Sequence, residues 1–247
     1  LFAACSITVT GRPLRTARIL HHGRLLDCLV ALKDSEGLTR SQLADRLSLQ
    51  PVTISLLVRR LVDAELVVGR SLHAGNSRGR PVTTFFINPA GLYFIGIHVD
   101  AQFVSCGLID LEMNRVSHAV RPVRRENTLK TEITSVLRTA LFESQAPGHR
   151  VFGVGMCISN DLTPCLSPAD ESVFTDHSAS HEGSGDWKIR VFPRDAANCA
   201  YFESEACIPQ RTPVSLLSGS TGAVCFGAAL LLQQSLFRNE MSRGTAT

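Results

Sequence analysis

The sequence predicts an α/β chain of two units. The first is a small basic helical unit closed by a β-hairpin. The second is larger and opens with an antiparallel meander, a helix and a parallel strand. Three observations point there. Residues 1–91 carry 12 Lys+Arg against 6 Asp+Glu, while residues 92–247 carry 13 against 16, so only the front is suited to a polyanion. Apolar residues recur at helical spacing up to Leu61, whereas strand-length apolar runs dominate from Tyr93. A length of 247 residues is enough for one large core or two smaller ones.

Composition narrows the class. With 44% hydrophobic and 19% charged residues the chain is not a disordered polymer. No apolar run approaches the roughly 20 residues of a membrane span, so no membrane partner is expected. The eight cysteines contain no Cys-x-x-Cys spacing, and scattered thiols in a chain this long fit a reducing cytoplasm better than a disulfide scaffold. The opening Leu1-Phe2-Ala3-Ala4-Cys5 lacks the charged lead and long apolar stretch of a secretory signal. Residues 1–23 are assigned as an N-terminal extension.

The first unit is assigned to residues 24–89. Leu26, Leu29, Val30 and Leu32 give a short helical face, ended by Asp34-Ser35-Glu36-Gly37 with Gly37 as a left-handed cap. Thr39 caps a second helix with Leu43, Ala44 and Leu47 inward. Ser48-Leu49-Gln50 makes a tight turn. Pro51 opens a third helix, to about Ala64, burying Ile54, Leu57, Val58 and Leu61. Two short helices joined by such a turn are the helix-turn-helix arrangement, although an ordinary helical hairpin has the same pattern. Gln50, Thr53 and Ser55 then stand at the leading end, where small polar groups reach base edges, with Arg59 and Arg60 a turn later near phosphates and Arg40 at the start of the preceding helix. Leu66–Leu72 and Val82–Ile87 read as paired strands. The loop between them ends Arg78-Gly79-Arg80-Pro81, two guanidiniums on a slim backbone that suit a narrow A·T-rich minor groove, although a solvated basic loop has the same composition. A hairpin after a helix-turn-helix makes a winged helix.

Leu38-Thr39-Arg40-Ser41-Gln42-Leu43-Ala44, Thr53-Ile54-Ser55 with Leu61, Leu66-Val67, and Gly79-Arg80-Pro81 followed by Ile87-Asn88-Pro89 resemble the ROK family (repressors, open reading frames and kinases) in its regulator branch. The resemblance implies a DNA-binding transcriptional regulator, a repressor of sugar metabolism genes, with double-stranded DNA and a second copy of itself as partners and a sugar or sugar phosphate as effector. Two residues depart from the pattern. Glu65 stands where the family has Gly, at a position that wants a left-handed backbone. Leu56 stands where the family has a polar residue, either as an apolar contact to a thymine methyl or as a sign of relaxed selection.

The second unit is assigned to residues 92–247. Tyr93–Asp100 and Phe103–Asp110 read as a hairpin and a third strand runs to about Val123. A helix follows from Leu129 to Ser144, then a buried strand from Val151 to Ile158. Three antiparallel strands, a helix and a parallel strand open the ribonuclease-H-like, actin-like ATPase fold, and the ROK sensor domain looks the same. The resemblance implies a phosphate loop of the form Asp-x-Gly-Gly-Thr, but here Asp100-Ala101-Gln102-Phe103 keeps the Asp and lacks the glycines. It implies an Asn-Asp dyad leading to a Glu, but here Arg194 precedes Asp195, with Glu203 beyond. Asp195 is either the sugar-hydroxyl acceptor, with its basicity depressed by Arg194, or only a helix cap. Of a second phosphate loop only Gly227 survives, and Ser218–Gly222 just before it reads as a small-residue loop, either an anion holder or a plain flexible turn. The Glu-x-x-His contact and zinc motif that the family places further on do not occur before Thr247, so the domain resembles a partial sensor. His177 and His181, four apart, read as a polar loop rather than a metal site.

The expected chemistry is therefore DNA binding, with no catalytic residues, cofactor or metal. A ROK-type sugar kinase and a truncated regulator without effector response are the alternatives. The apolar run Ala223–Leu232, with Leu236 and Phe237, is expected to be left uncovered and to hold an oligomer together.

Overall fold

Leu25, Leu26, Cys28, Leu29, Ala31 and Leu32 recur along one side of the first helix, α1 (Gly23–Lys33), and all are buried. The computed structural model describes residues 23–72, 82–124, 129–159, 189–191 and 220–241. Gly37 adopts a φ of 102°, the left-handed region expected of it, but it lies past the helix end and leads into β1 (Leu38–Thr39) instead of capping α1.

Thr39 opens α2 (Arg40–Leu47) with a full capping box. Its hydroxyl accepts from the Gln42 amide at 3.3 Å while the Gln42 side chain accepts from the Thr39 amide at 2.8 Å. Ser48, at φ 51°, turns the chain, and Pro51 sits in the first turn of α3 (Pro51–Asp63), where its missing N–H costs nothing. Ile54, Leu57, Val58 and Leu61 are all buried, as their spacing predicts. β2 (Val67–Leu72) pairs antiparallel with β3 (Val82–Ile87), and β1 adds to the outer side of β3. That third strand was not expected, because two residues carry no alternation to read.

Glu65 has a φ of 57°, the strained region the sequence pointed to. Its carbonyl accepts from the Asn88 side-chain amide at 2.6 Å, which ties the helix exit to the end of the hairpin. Glu65→Gly is expected to stabilise this unit by about 0.5–1 kcal/mol, the left-handed strain less the extra unfolded-state freedom of glycine. Thermal denaturation followed by circular dichroism checks this. An unchanged or lowered midpoint contradicts it.

The second unit carries a five-stranded sheet in the order β6-β5-β4-β7-β8. Its strands are β4 (Tyr93–Val99), β5 (Phe103–Asp110), β6 (Arg115–Pro122), β7 (Val151–Ile158) and β8 (Ile189–Val191). β4, β5 and β6 are antiparallel, while β7 and β8 run parallel to β4. α4 (Leu129–Ser144) packs Ile133, Val136, Leu137 and Ala140 against Ile95, Ile97, Cys106 and Leu108 on one face. The other face carries α5 (Ser220–Met241). Gly107, Gly96 and Gly155 are register partners across β5, β4 and β7. A Cβ on Gly96 would overlap the Cys225 carbonyl oxygen and stand 2.7 Å from the Ala229 nitrogen. A Cβ on Gly107 would stand 2.9 Å from the Phe226 ring. The absence of side chains along this row lets the α5 backbone lie directly on the sheet. Gln233 completes the contact by donating to the Leu111 carbonyl at 2.9 Å.

This packing corrects two expectations. Val224, Cys225, Phe226, Ala228, Ala229, Leu230 and Leu232 are buried, so the apolar run is covered by the sheet of its own unit and is not an open surface. Ser220, Thr221 and Gly222 form the first turn of α5 and not a loop, while Ser218 and Gly219 lie outside the described residues. The four described cysteines, Cys28, Cys106, Cys157 and Cys225, are free and buried. Burial pushes the Cys28 thiol up to about 11 and the Cys225 thiol up to about 12, so both stay protonated at neutral pH.

By packing, the described chain divides between Leu92 and Tyr93, with residues 236–241 grouped with the first unit. Within that group the Lys33 ammonium lies 4.8 Å from the centre of the Phe237 ring, and burial lowers its pKa against the opposing charge of Asp34.

Candidate nucleic-acid interface

The buried stripe of α3 fixes what its opposite side presents. At about 100° per residue, the line facing away from Ile54, Leu57, Val58 and Leu61 runs through Val52, Leu56, Arg59 and Asp63. Val52 is 73% exposed and Leu56 is 58% exposed. Gln50, at the N-cap, is exposed and its side chain makes no cap bond. Thr53 is half-buried on the flank. Ser55 is exposed, but its hydroxyl donates back to the Pro51 carbonyl at 2.9 Å, which leaves only an acceptor for an outside partner. Of the three base-reading candidates at this end, Gln50 is the one that is exposed and not engaged by its own helix. The two apolar side chains between it and Arg59 form the most prominent surface of the helix.

Arg40, Arg46, Arg59, Arg60 and Arg70 are all exposed. Arg40 lies over the Phe85 ring with its guanidinium carbon 4.6 Å from the centroid, and Arg70 lies over Phe86 at 5.2 Å. A guanidinium over a ring is held by the ring's negative face, while its N–H groups are the ones that fork onto a phosphate. Arg59 is 3.9 Å from Asp63, an exposed pair one helical turn apart and of little energetic consequence. Stacking on β3 is what prediction from α2 and α3 alone could not see. The signal was the Phe85-Phe86 pair, read only as strand. Arg78 and Arg80 lie outside the described residues, as do Asp195 and Glu203.

The remnant of the phosphate loop in the second unit is closed. The Asp100 amide donates to the Phe103 carbonyl at 3.0 Å, making a tight turn with Ala101 and Gln102 at its tip. One Asp100 carboxylate oxygen accepts from the amides of Gln102, at 2.8 Å, and Phe103, at 2.6 Å. The N–H groups that a phosphate would need are thus already bonded to an anion of the chain itself. Asp110 does the same at the next turn, accepting from the Glu112 and Asn114 amides at 2.9 Å, while burial raises its pKa against those bonds. Among the described residues no group of three or more His, Cys, Asp or Glu is placed to hold a metal ion. No described helix is long and apolar enough to cross a membrane.

No family model and no curated protein matches the chain. Solved structures do. A ROK family transcriptional regulator, described as a homolog of the E. coli MLC protein, aligns over 76% of this chain with a TM-score of 0.52 at 18% identity. The chain has the fold of a ROK regulator. It spans 48% of that neighbour's length. A ROK hexokinase from Thermus thermophilus aligns over 49% of this chain and 39% of its own at 15% identity, with a TM-score of 0.33, too low to carry an argument.

Proposed function

We propose that the chain is a ROK-type regulator that binds specific duplex DNA and represses transcription in the cytoplasm, with sugar metabolism genes as its targets. Residues 24–89 act as a winged helix-turn-helix, and residues 92–247 as part of a sensor-type domain with no kinase activity. The observation that carries this reading is the leading face of α3, exposed, free of carboxylates over its first two turns and carrying Arg59 and Arg60, in a unit that also exposes Arg40 and Arg70. A second helix laid in the major groove with cations over the flanking phosphates is the docking geometry of this motif. Two copies on two half-sites about one helical turn apart follow from the same geometry, although the apolar run once expected to join them is buried.

The kinase alternative is opposed by the loss of the loop glycines, since Ala101 and Gln102 follow Asp100. The amides of Gln102 and Phe103 are bonded to the Asp100 carboxylate, which leaves them turned away from an outside anion. A sugar effector would rest on Asp195 and Glu203.

Selection from a random duplex pool tests the proposal. The whole chain at about 50 mM salt is expected to enrich one motif, and that site placed over a promoter is expected to lower transcription from a reporter. A folded chain that enriches nothing would remove the regulator reading. Transcription that rises at an enriched site would remove the repressor part alone.

A further inference from the structure

Resting on the DNA-reading function just proposed, we infer that Val52 and Leu56 read thymine by its C5-methyl group, so that the chain recognises thymines at fixed positions in each half-site through apolar contact.

Three features of α3 lead there. Val52 and Leu56 are one helical turn apart on the line opposite the buried stripe, 73% and 58% exposed. They are the two most exposed large apolar side chains of a helix that buries Ile54, Leu57, Val58 and Leu61, with Val62 next at 39% exposed. The hydroxyl that could have donated to a base at this place, that of Ser55, is turned onto Pro51. The exposed cations on the same helix, Arg59 and Arg60, call for a polyanion and not for an apolar protein surface. In the major groove of duplex DNA the thymine methyl is the apolar group on offer, and it is the feature that side chains without donors or acceptors read. Gln50, just ahead, then supplies the hydrogen-bonding readout, since a Gln amide matches the N6 and N7 edge of adenine.

Replacing thymine by deoxyuridine removes the methyl and leaves base pairing and phosphates unchanged. Each position of the selected duplex is substituted in turn and binding to the whole chain is measured by fluorescence anisotropy. At least two thymine positions per half-site are expected to lose affinity about fourfold each, the effect of burying one methyl group. In Leu56→Gln the loss at one of those positions disappears while the other remains. In Val52→Gln the pattern is reversed. Both side chains are exposed, so neither variant disturbs the core, and circular dichroism verifies this. A selected duplex bound equally well with uracil at every thymine overturns this inference and leaves the regulator reading standing. A uracil penalty that neither variant removes overturns the assignment to these two residues. Failure to select any duplex overturns both readings together.

Discussion

Gly96→Ala is expected to destabilise the second unit by about 3 kcal/mol or more, the upper end of what overpacking a core costs. The reason is what the new Cβ would meet. It would overlap the Cys225 carbonyl oxygen and press on the Ala229 nitrogen, both backbone atoms of a helix that cannot rotate out of the way. α5 would have to lift off the sheet, uncovering Phe226, Ala228 and Ala229, which are almost fully buried. Gly107→Ala meets the edge of the Phe226 ring and Cys225 Sγ, side-chain atoms that can yield, and is expected to cost less. Urea denaturation of the two variants beside the parent reads both numbers. A Gly96→Ala chain within about 0.5 kcal/mol of the parent would mean that α5 does not rest on this row.

Binding to DNA is expected to be the most salt-sensitive property of the chain. If Arg40, Arg59, Arg60 and Arg70 each meet a phosphate, the logarithm of affinity falls against the logarithm of salt with a slope near −3.6 per copy, at about −0.9 per contact. Between 50 and 200 mM salt that is a loss of about 150-fold per bound copy. Arg60→Ala should weaken binding to all duplexes alike and reduce the slope by about one contact. Arg40→Ala should do the same, and its guanidinium is the better held of the two because it lies on Phe85. A slope indistinguishable from zero, with binding intact, would contradict the phosphate assignments.

What the sequence disclosed followed from local rules. The three helices of the first unit were legible because Pro51, Thr39 and the spacing of Ile54, Leu57, Val58 and Leu61 each carry their own signal. The meander, α4 and β7 were legible as runs of strand or helix period. Two kinds of information were not. β1 and the stacking of Arg40 on Phe85 join residues more than 40 positions apart, and no local pattern encodes such a pairing. The glycine row was invisible for a related reason. Gly96, Gly107 and Gly155 look like scattered weak points in three strands until their register sets them side by side beneath α5. That contact also explains why the apolar run of α5 was misread as uncovered. A run apolar on nearly all sides reads equally well as an orphaned interface or as a helix sunk into its own domain. At the interface itself the sequence pointed to Thr53 and Ser55 as polar residues near the helix start. Helix geometry places Thr53 on the flank, binds the Ser55 hydroxyl to Pro51, and leaves Val52 and Leu56 outermost.

The central claim is that α3 reads sequence, and the ratio of specific to non-specific affinity tests it most directly. Anisotropy titrations of the whole chain on the selected duplex and on a scrambled duplex of equal length, at one salt concentration, give that ratio. The expected value is about 10³ or greater. In a chain carrying Gln50→Ala and Leu56→Gln together it should fall by at least tenfold, with binding to the scrambled duplex unchanged. A ratio near one, or a ratio that these two substitutions leave untouched, would contradict the claim.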